Sequence, residues 1–379
     1  MKMKGPLFFV YIITATTLSC SPGSGGGVLA KKTDREKYTD RIKTGGGMNS
    51  PAVKAWLAAG EYALDYPLGI QNNYSEAGMF SITNSGAHSV FTEVKKGMKI
   101  SVSLVRRDPA NTKVYMDLWR RGDSTTREPR QFIGAADTAS NIMEYIAYSD
   151  EKLLIRFQKE IGSSGTYRFF LQTGPAFIFP VRSDVKSNIG SLWGEPRDGG
   201  ARRHEGIDVF GPKRAPIVAV ADGVISEVSD NPIGGKVIFL RPRGTKIRVY
   251  YAHLDEQLVT EDKQVSAGEV IGLMGNTGNA INTVPHLHFG IYNNAGGAID
   301  PLHFVKPVKI TPKKEYPVPA KNEMVTLKNA MVYNNIFLNT YYVILPKNTT
   351  VATEAITENH YKVILADGRK GFIAKGDMK

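Results

Sequence analysis

Pro285-His286-Leu287-His288-Phe289-Gly290-Ile291 alternates polar and apolar residues in the manner of a half-buried strand. Successive side chains on a strand point to opposite faces. His286 and His288 then share one face while Leu287 and Phe289 enter a core. Both imidazoles can reach one site, one as a metal ligand and the other as an acid or base beside it. The pair belongs to a larger set: four of the seven histidines lie between residues 204 and 288, as His204-x-x-x-Asp208, His253 and His286-x-His288. Neutral imidazole and carboxylate are ordinary zinc ligands, and a catalytic zinc keeps three protein ligands and one open position. The set supplies a three-ligand site with two imidazoles to spare. His88, His303 and His360 stand alone and read as surface or packing residues.

The neighbouring residues define where each member sits. Lys246-Ile247-Arg248-Val249-Tyr250-Tyr251-Ala252 reads as a strand that ends at His253. His204 and Asp208 are four apart, which would align them on a helix. Gly206 and the β-branched Ile207 and Val209 favour a loop entering a strand instead, where a metal draws the two side chains together. His204-Glu205 also raises an H-E-x-x-H site with Glu205 as base. That motif needs a second histidine on one helix face, whereas position 208 is Asp. Glu205 is placed on the rim.

The runs between these residues are informative in their order. Arg203-His204-Glu205-Gly206-Ile207-Asp208-Val209 is followed by Ala219-Val220-Ala221-Asp222-Gly223-Val224-Ile225 and Tyr251-Ala252-His253-Leu254. Then come Ala267-Gly268-Glu269-Val270-Ile271-Gly272, Gly275-Asn276-Thr277-Gly278 and His286-Leu287-His288-Phe289. Residues 180 to 305 closely resemble the lysostaphin/LytM-type zinc metallopeptidases, a family of peptidoglycan endopeptidases. The resemblance implies one zinc ion held by His204, Asp208 and His288, with His253 and His286 as catalytic histidines that do not bind the metal. Two departures stand out. Asn282-Thr283-Val284-Pro285 lacks the glycine usual before H-x-H, and Gly290 stands where the family often has Glu. Both concern loop shape and substrate fit and leave the implied ligands untouched.

Zinc lowers the pKa of a bound water from about 15.7 toward about 7 and polarises a carbonyl. A positioned imidazole can take the water's proton and later pass one to the leaving amine. A second, protonated imidazole can stabilise the developing oxyanion. His286 is read as the base and His253 as the oxyanion stabiliser, with the exchanged assignment left open.

Residues 1–19 carry Lys2 and Lys4 and then an apolar run from Leu7 to Leu18, which reads as a secretion signal too short for a good membrane span. It runs into Thr17-Leu18-Ser19-Cys20. The arrangement resembles a bacterial lipoprotein signal, implying cleavage before Cys20 and acylation of its thiol, although Thr17 stands where that pattern prefers Leu. Cys20 is the single cysteine, so no internal disulfide is expected. Residues 20–49, Gly/Ser-rich and then charged, read as a flexible tether. The implied place is the bacterial cell envelope, with anchoring at the outer membrane facing the periplasm.

The chain has 379 residues, 42% of them hydrophobic, enough for two or three ordinary domains. Its formal charge of +12 falls to about +10 without Lys2 and Lys4. Such a surplus favours polyanions. Export excludes nucleic acid as a partner, and no basic run interleaved with stacking aromatics supports it. Envelope polymers and anionic lipids remain.

The fold class is mainly β and multidomain. An antiparallel metallopeptidase domain (176–305) is flanked by an amino-terminal β-sandwich (50–175) and a carboxy-terminal domain (322–379). In the first flank, Ser50-Pro51 caps a short helix through Trp56 and Leu57. Alternating segments follow at Gly78 to Thr83, Ser89 to Val94, Lys99 to Val105, Lys113 to Trp119, Lys152 to Gln158 and Thr166 to Gln172. This punctuated pattern predicts a sandwich and loosely resembles jelly-roll-like pre-peptidase domains. Residues 306–321 are Pro/Lys-rich and read as a semi-rigid linker. Short strands resume at Met324 to Leu327, Tyr341 to Leu345, Thr350 to Thr353, His360 to Leu365 and Lys370 to Ala374, with a tight turn at Ala366-Asp367-Gly368-Arg369. The run from Lys362 to Ile373 resembles bacterial SH3-like modules, implying a small β-barrel. Tyr333, Tyr341, Tyr342, Tyr361 and Phe372 either line a groove or fill that barrel.

The expected function is zinc-dependent hydrolysis of peptide cross-links in peptidoglycan by a lipid-anchored enzyme. The family includes enzymes for glycyl-glycine bridges and for direct D-alanyl-diaminopimelate links. The alternative is a non-catalytic envelope-binding protein or an activator of another wall hydrolase. Retention of all five site residues favours the enzyme.

Overall fold

Alternation along residues 247–257 and 286–293 builds two long neighbouring strands at the centre of the histidine-rich region. The computed structural model describes residues 31–81, 86–106, 113–122, 128–294, 297–307 and 314–379. The signal, Cys20 and residues 308–313 of the Pro/Lys-rich segment lie outside the described residues. One antiparallel sheet runs in the order Asn188–Ser191, Ile207–Phe210, His286–Asn293, Ile247–Gln257, Gly235–Pro242, Gly223–Asn231, Gln264–Val265. Val209, Leu287, Phe289, Ile291, Val249, Tyr251 and Ile238 project to one side and are completely buried together. Each such side chain contributes about 1.5–3 kcal/mol on leaving water. The opposite face of the same strands is left to the polar residues.

The amino-terminal region is a pair of sheets sharing one core. The first has the order Leu68–Gly69, Ala87–Val94, Glu151–Lys159, Val114–Arg120, Gln131–Ala135. In the second, Tyr74–Phe80, Gly165–Pro175, Met98–Arg106 and Ile142–Ile146 are neighbours. Phe157, Tyr167, Phe169, Leu171 and Val102 fill the space between them. Gln131–Ala135 and Ile142–Ile146 were not expected from sequence. They are short, and Ile142 and Phe132 face solvent, so their alternation is weak.

Two helices depart from the sequence expectation. Residues 34–44 do not belong to a flexible tether but form a helix, Asp34–Thr44. Thr33 and Glu36 make a reciprocal capping box, and acids in the first turn with bases in the last oppose the helix dipole. The Tyr38 ring packs 5.3 Å from those of Trp56 and Tyr115, and the Arg35 guanidinium lies over Trp56. The polarity that suggested a tether covers the exposed side of this helix. The next helix, Pro51–Asp65, runs well past Leu57 and buries Val53, Trp56, Gly60, Ala63 and Leu64 at helical spacing. Among the described residues no helix is long and apolar enough to cross a membrane.

The carboxy-terminal strands join the second sheet. Thr350–Ile356 pairs with Tyr74–Phe80, placing Ala77 beside Ile356 and Gly78 beside Ala355. His360–Ile364, Lys370–Ala374, Ala330–Tyr333 and Tyr341–Leu345 continue it. Phe372, read from sequence as either lining a groove or filling a small barrel, is fully buried and belongs to the amino-terminal core. Tyr341 is exposed.

Candidate metal centre

The register of two strands places the first pair. Asp208 and His288 are cross-strand partners on Ile207–Phe210 and His286–Asn293, so their Cβ atoms lie about 5 Å apart on one face. His286, two residues earlier, opposes Phe210 and packs its ring 5.1 Å away. On the other side His288 opposes Ala252. His204 arrives from the preceding loop, its N–H donating to the Glu195 carbonyl. Gly206 lets it come close: a Cβ there would lie 2.6 Å from the Phe289 carbonyl oxygen and 2.7 Å from His288 Cε1.

His253 does not end its strand, contrary to the sequence expectation. The strand continues to Gln257, and His253 sits in a bulge within it. Against the neighbouring strand, Tyr251 opposes Ile238 and Leu254 opposes Lys236, so Ala252 and His253 together face one residue. His253 has φ +61°, a conformation costing a non-glycine residue about 1 kcal/mol or more. Its N–H donates to Gly234 O (2.8 Å) and its Nδ1 to Thr277 O (2.9 Å). The bulge turns this ring toward His286 (5.0 Å between centroids) and His288 (6.0 Å).

His204 Nε2 lies 3.0 Å from Asp208 Oδ1 and 3.0 Å from His288 Nδ1, and His288 Nδ1 lies 3.1 Å from the same carboxylate oxygen. Zinc–nitrogen distances of about 2.0–2.1 Å in a tetrahedron require ligand atoms about 3.3 Å apart. The triangle fits a zinc ion closely. These three residues are also a metal-capable group by donor chemistry, with all ligand atoms within 4.8 Å of one another. His204 Nδ1 donates to Leu192 O at 2.8 Å, which directs the lone pair of Nε2 at the site.

Electrostatics follow from burial and these contacts. Burial acts to raise the Asp208 carboxyl, but hydrogen bonds from His204 and His288 outweigh it and hold the group well below the usual carboxylate range. Burial, with the neighbouring imidazoles adding to it, pushes His253 down to about 4, so it is neutral at pH 7. His286 Nδ1 donates to Val284 O at 2.9 Å. His253 and His286 therefore both carry a proton on Nδ1, the nitrogen each donates to its backbone carbonyl.

All five residues selected from sequence meet in one cluster, while His88, His303 and His360 lie elsewhere. Glu205 is exposed beside it. Sequence reading missed Arg197, whose Nη2 donates to Asp208 Oδ2 at 2.9 Å, and the carbonyls of Leu192, Thr277 and Val284 that orient the rings. Backbone acceptors leave no signature in residue type, and Arg197 lies outside any spacing motif.

Residues 202–301 match the model of Peptidase family M23. This stretch is an M23 peptidase domain. Similar curated proteins include "Peptidoglycan DD-endopeptidase ShyC" of Vibrio cholerae, 36% identical over 29% of this chain and 26% of that protein. The "L-Ala–D-Glu endopeptidase" of Bacillus subtilis is 34% identical over 32% of this chain and 39% of its own length. "Murein hydrolase activator NlpD" of Salmonella dublin is 35% identical over 34% of this chain and 31% of that protein. The match thus spans well under half of each relative.

Proposed function

We propose that this protein is a zinc metalloendopeptidase of the bacterial cell envelope that hydrolyses peptide cross-links in peptidoglycan. The observation that carries the reading is the joint presence of a three-ligand triangle and two further imidazoles within ring contact of it. Bound zinc would supply an acidified water and a polarised carbonyl. His204, Asp208 and His288 would hold the ion. His253 and His286 would divide the remaining work. One Nε2 would accept the water's proton and deliver it to the departing amine. The other imidazole, whose Nδ1–H is spent on a backbone carbonyl, would have to take up a proton at Nε2 before donating to the charge growing on the carbonyl oxygen. Their carbonyl partners fix both rings in orientation before substrate arrives. Anchoring through Cys20 at the outer membrane, an envelope location and the 176–305 limits of the metallopeptidase domain belong to the same proposal.

The similarity to a protein named as a murein hydrolase activator favours a second reading, a non-catalytic domain that binds the wall and activates another hydrolase. Mass spectrometry of defined cross-linked muropeptides separates the two. Conversion of dimers to monomers by zinc-loaded protein, absent in folded His288→Ala, supports the enzyme, and the product masses name the bond. Intact dimers, with wall binding retained, would leave the activator.

A further inference from the structure

We propose that Arg197, Ser191 and Glu195 form a positioning network that sets the metal affinity of the M23 domain by fixing two of its three ligands through one short segment. It rests on the reading of His204, Asp208 and His288 as zinc ligands.

Arg197 Nη2 reaches Asp208 Oδ2 at 2.9 Å and Ser191 Oγ at 2.5 Å. Asp208 Oδ1 is the oxygen facing His204 and His288. The guanidinium thus holds the distal oxygen and turns the proximal one inward, so the carboxylate presents a single ligand atom. Ser191 Oγ donates to Glu195 Oε2 at 2.7 Å, and Glu195 Oε1 accepts from the Leu192 N–H at 2.9 Å. The Leu192 carbonyl accepts from His204 Nδ1 at 2.8 Å, and Ser191 Oγ itself lies 3.3 Å from that nitrogen. The contacts close a ring: Arg197 to Asp208, across the ligand triangle to His204, through Leu192, Glu195 and Ser191, and back to Arg197.

Charge explains why Glu195 belongs to it. A guanidinium against a metal ligand opposes a bound cation. Glu195 Oε2 lies 3.6 Å from Arg197 Nη1 and offsets that charge. Fixing the conformation of ligands before the ion arrives removes ordering cost from binding, and loss of such outer partners typically weakens metal binding about 10–100-fold. None of the three residues is itself a ligand or within the pair of free imidazoles.

The test is zinc affinity of the full chain, measured by competition with a chromogenic chelator, beside thermal unfolding of the metal-free proteins. Arg197→Gln should bind zinc at least tenfold more weakly with its metal-free melting temperature unchanged. Arg197→Lys, which keeps the charge and loses the fork, should fall between it and wild type. Glu195→Gln should weaken binding by threefold or more and provides the answer if Arg197→Gln does not fold. Affinity within twofold of wild type in the folded variants overturns the network. A wild type that binds no zinc removes the ligand reading itself, a separate result.

Discussion

Ala77 and Ile356, separated by most of the chain, are neighbours in one antiparallel ladder. This seam joins the amino-terminal sandwich to the carboxy-terminal strands, and it encloses a buried ion pair. Glu76 accepts from Lys362 Nζ and from the hydroxyls of Tyr74 and Tyr167, all buried.

Removing one partner of a buried pair leaves the other charge uncompensated, which costs about 3–5 kcal/mol. Lys362→Ala should lower the urea stability of the sandwich by about that amount. Replacing Glu76 and Lys362 together by Met should recover most of it. A single variant within about 1 kcal/mol of wild type would show that the seam does not hold the two parts together.

The five site residues should separate into two classes. His288→Ala and Asp208→Ala lose zinc affinity and activity together. His253→Ala and His286→Ala keep zinc within a few-fold yet lose about 100-fold or more in kcat, the usual scale of positioned acid–base groups. Zinc titrations run alongside turnover would reveal any exception, and loss of zinc in His253→Ala would contradict the assignment.

Gly206→Ala should damage the centre without touching a ligand. The new Cβ meets backbone oxygen at Phe289, which cannot swing aside as a flexible side chain would, and it presses on the His288 ring. Zinc binding should weaken by tenfold or more. A crystal structure of the variant with His288 undisplaced would sink this expectation.

Stability should also depend on pH through His88. Burial, reinforced by Lys370, Lys362 and Lys159, holds this imidazole well below its ordinary range. Its Nδ1 lies 3.7 Å from Glu354 Oε2, too far for a hydrogen bond, and neither atom has a hydrogen-bond partner among the described residues. Because the folded pKa lies below the unfolded value, the unfolded chain binds more protons in the interval between them. Stability is therefore full above about pH 6.5 and falls as pH drops from there toward the folded pKa, by up to about 1.4 kcal/mol per pH unit. Urea midpoints at pH 7.5 and 5.5 would measure the slope, to which the similarly depressed His253, His288 and His360 also contribute, and His88→Gln should reduce it.

The central sheet was readable because period-2 alternation reports which face is buried. That alternation directs Leu287 and Phe289 inward and His286 and His288 to one side. Pairing between distant strands is not encoded that way. Nothing near residue 77 or 356 announces their contact, so the carboxy-terminal strands looked self-sufficient. The bulge at His253 was equally hidden, since its left-handed backbone falls on a residue type that gives no warning. The helix over residues 34–44 was missed because charge was read as solvation, although Thr33 and Glu36 carried the capping signature.

The Phe177 N–H donates to the Phe304 carbonyl at 2.9 Å, and the two rings stack 5.9 Å apart. The chain therefore leaves the sandwich and returns to it at nearly one point, and the ladder at Ala77 and Ile356 closes the circuit beyond. Mechanically, the M23 domain hangs as a side loop. Tension applied between residue 31 and residue 379 would run through the flanking sheets and bypass the triangle of His204, Asp208 and His288 for as long as the seam remains zipped.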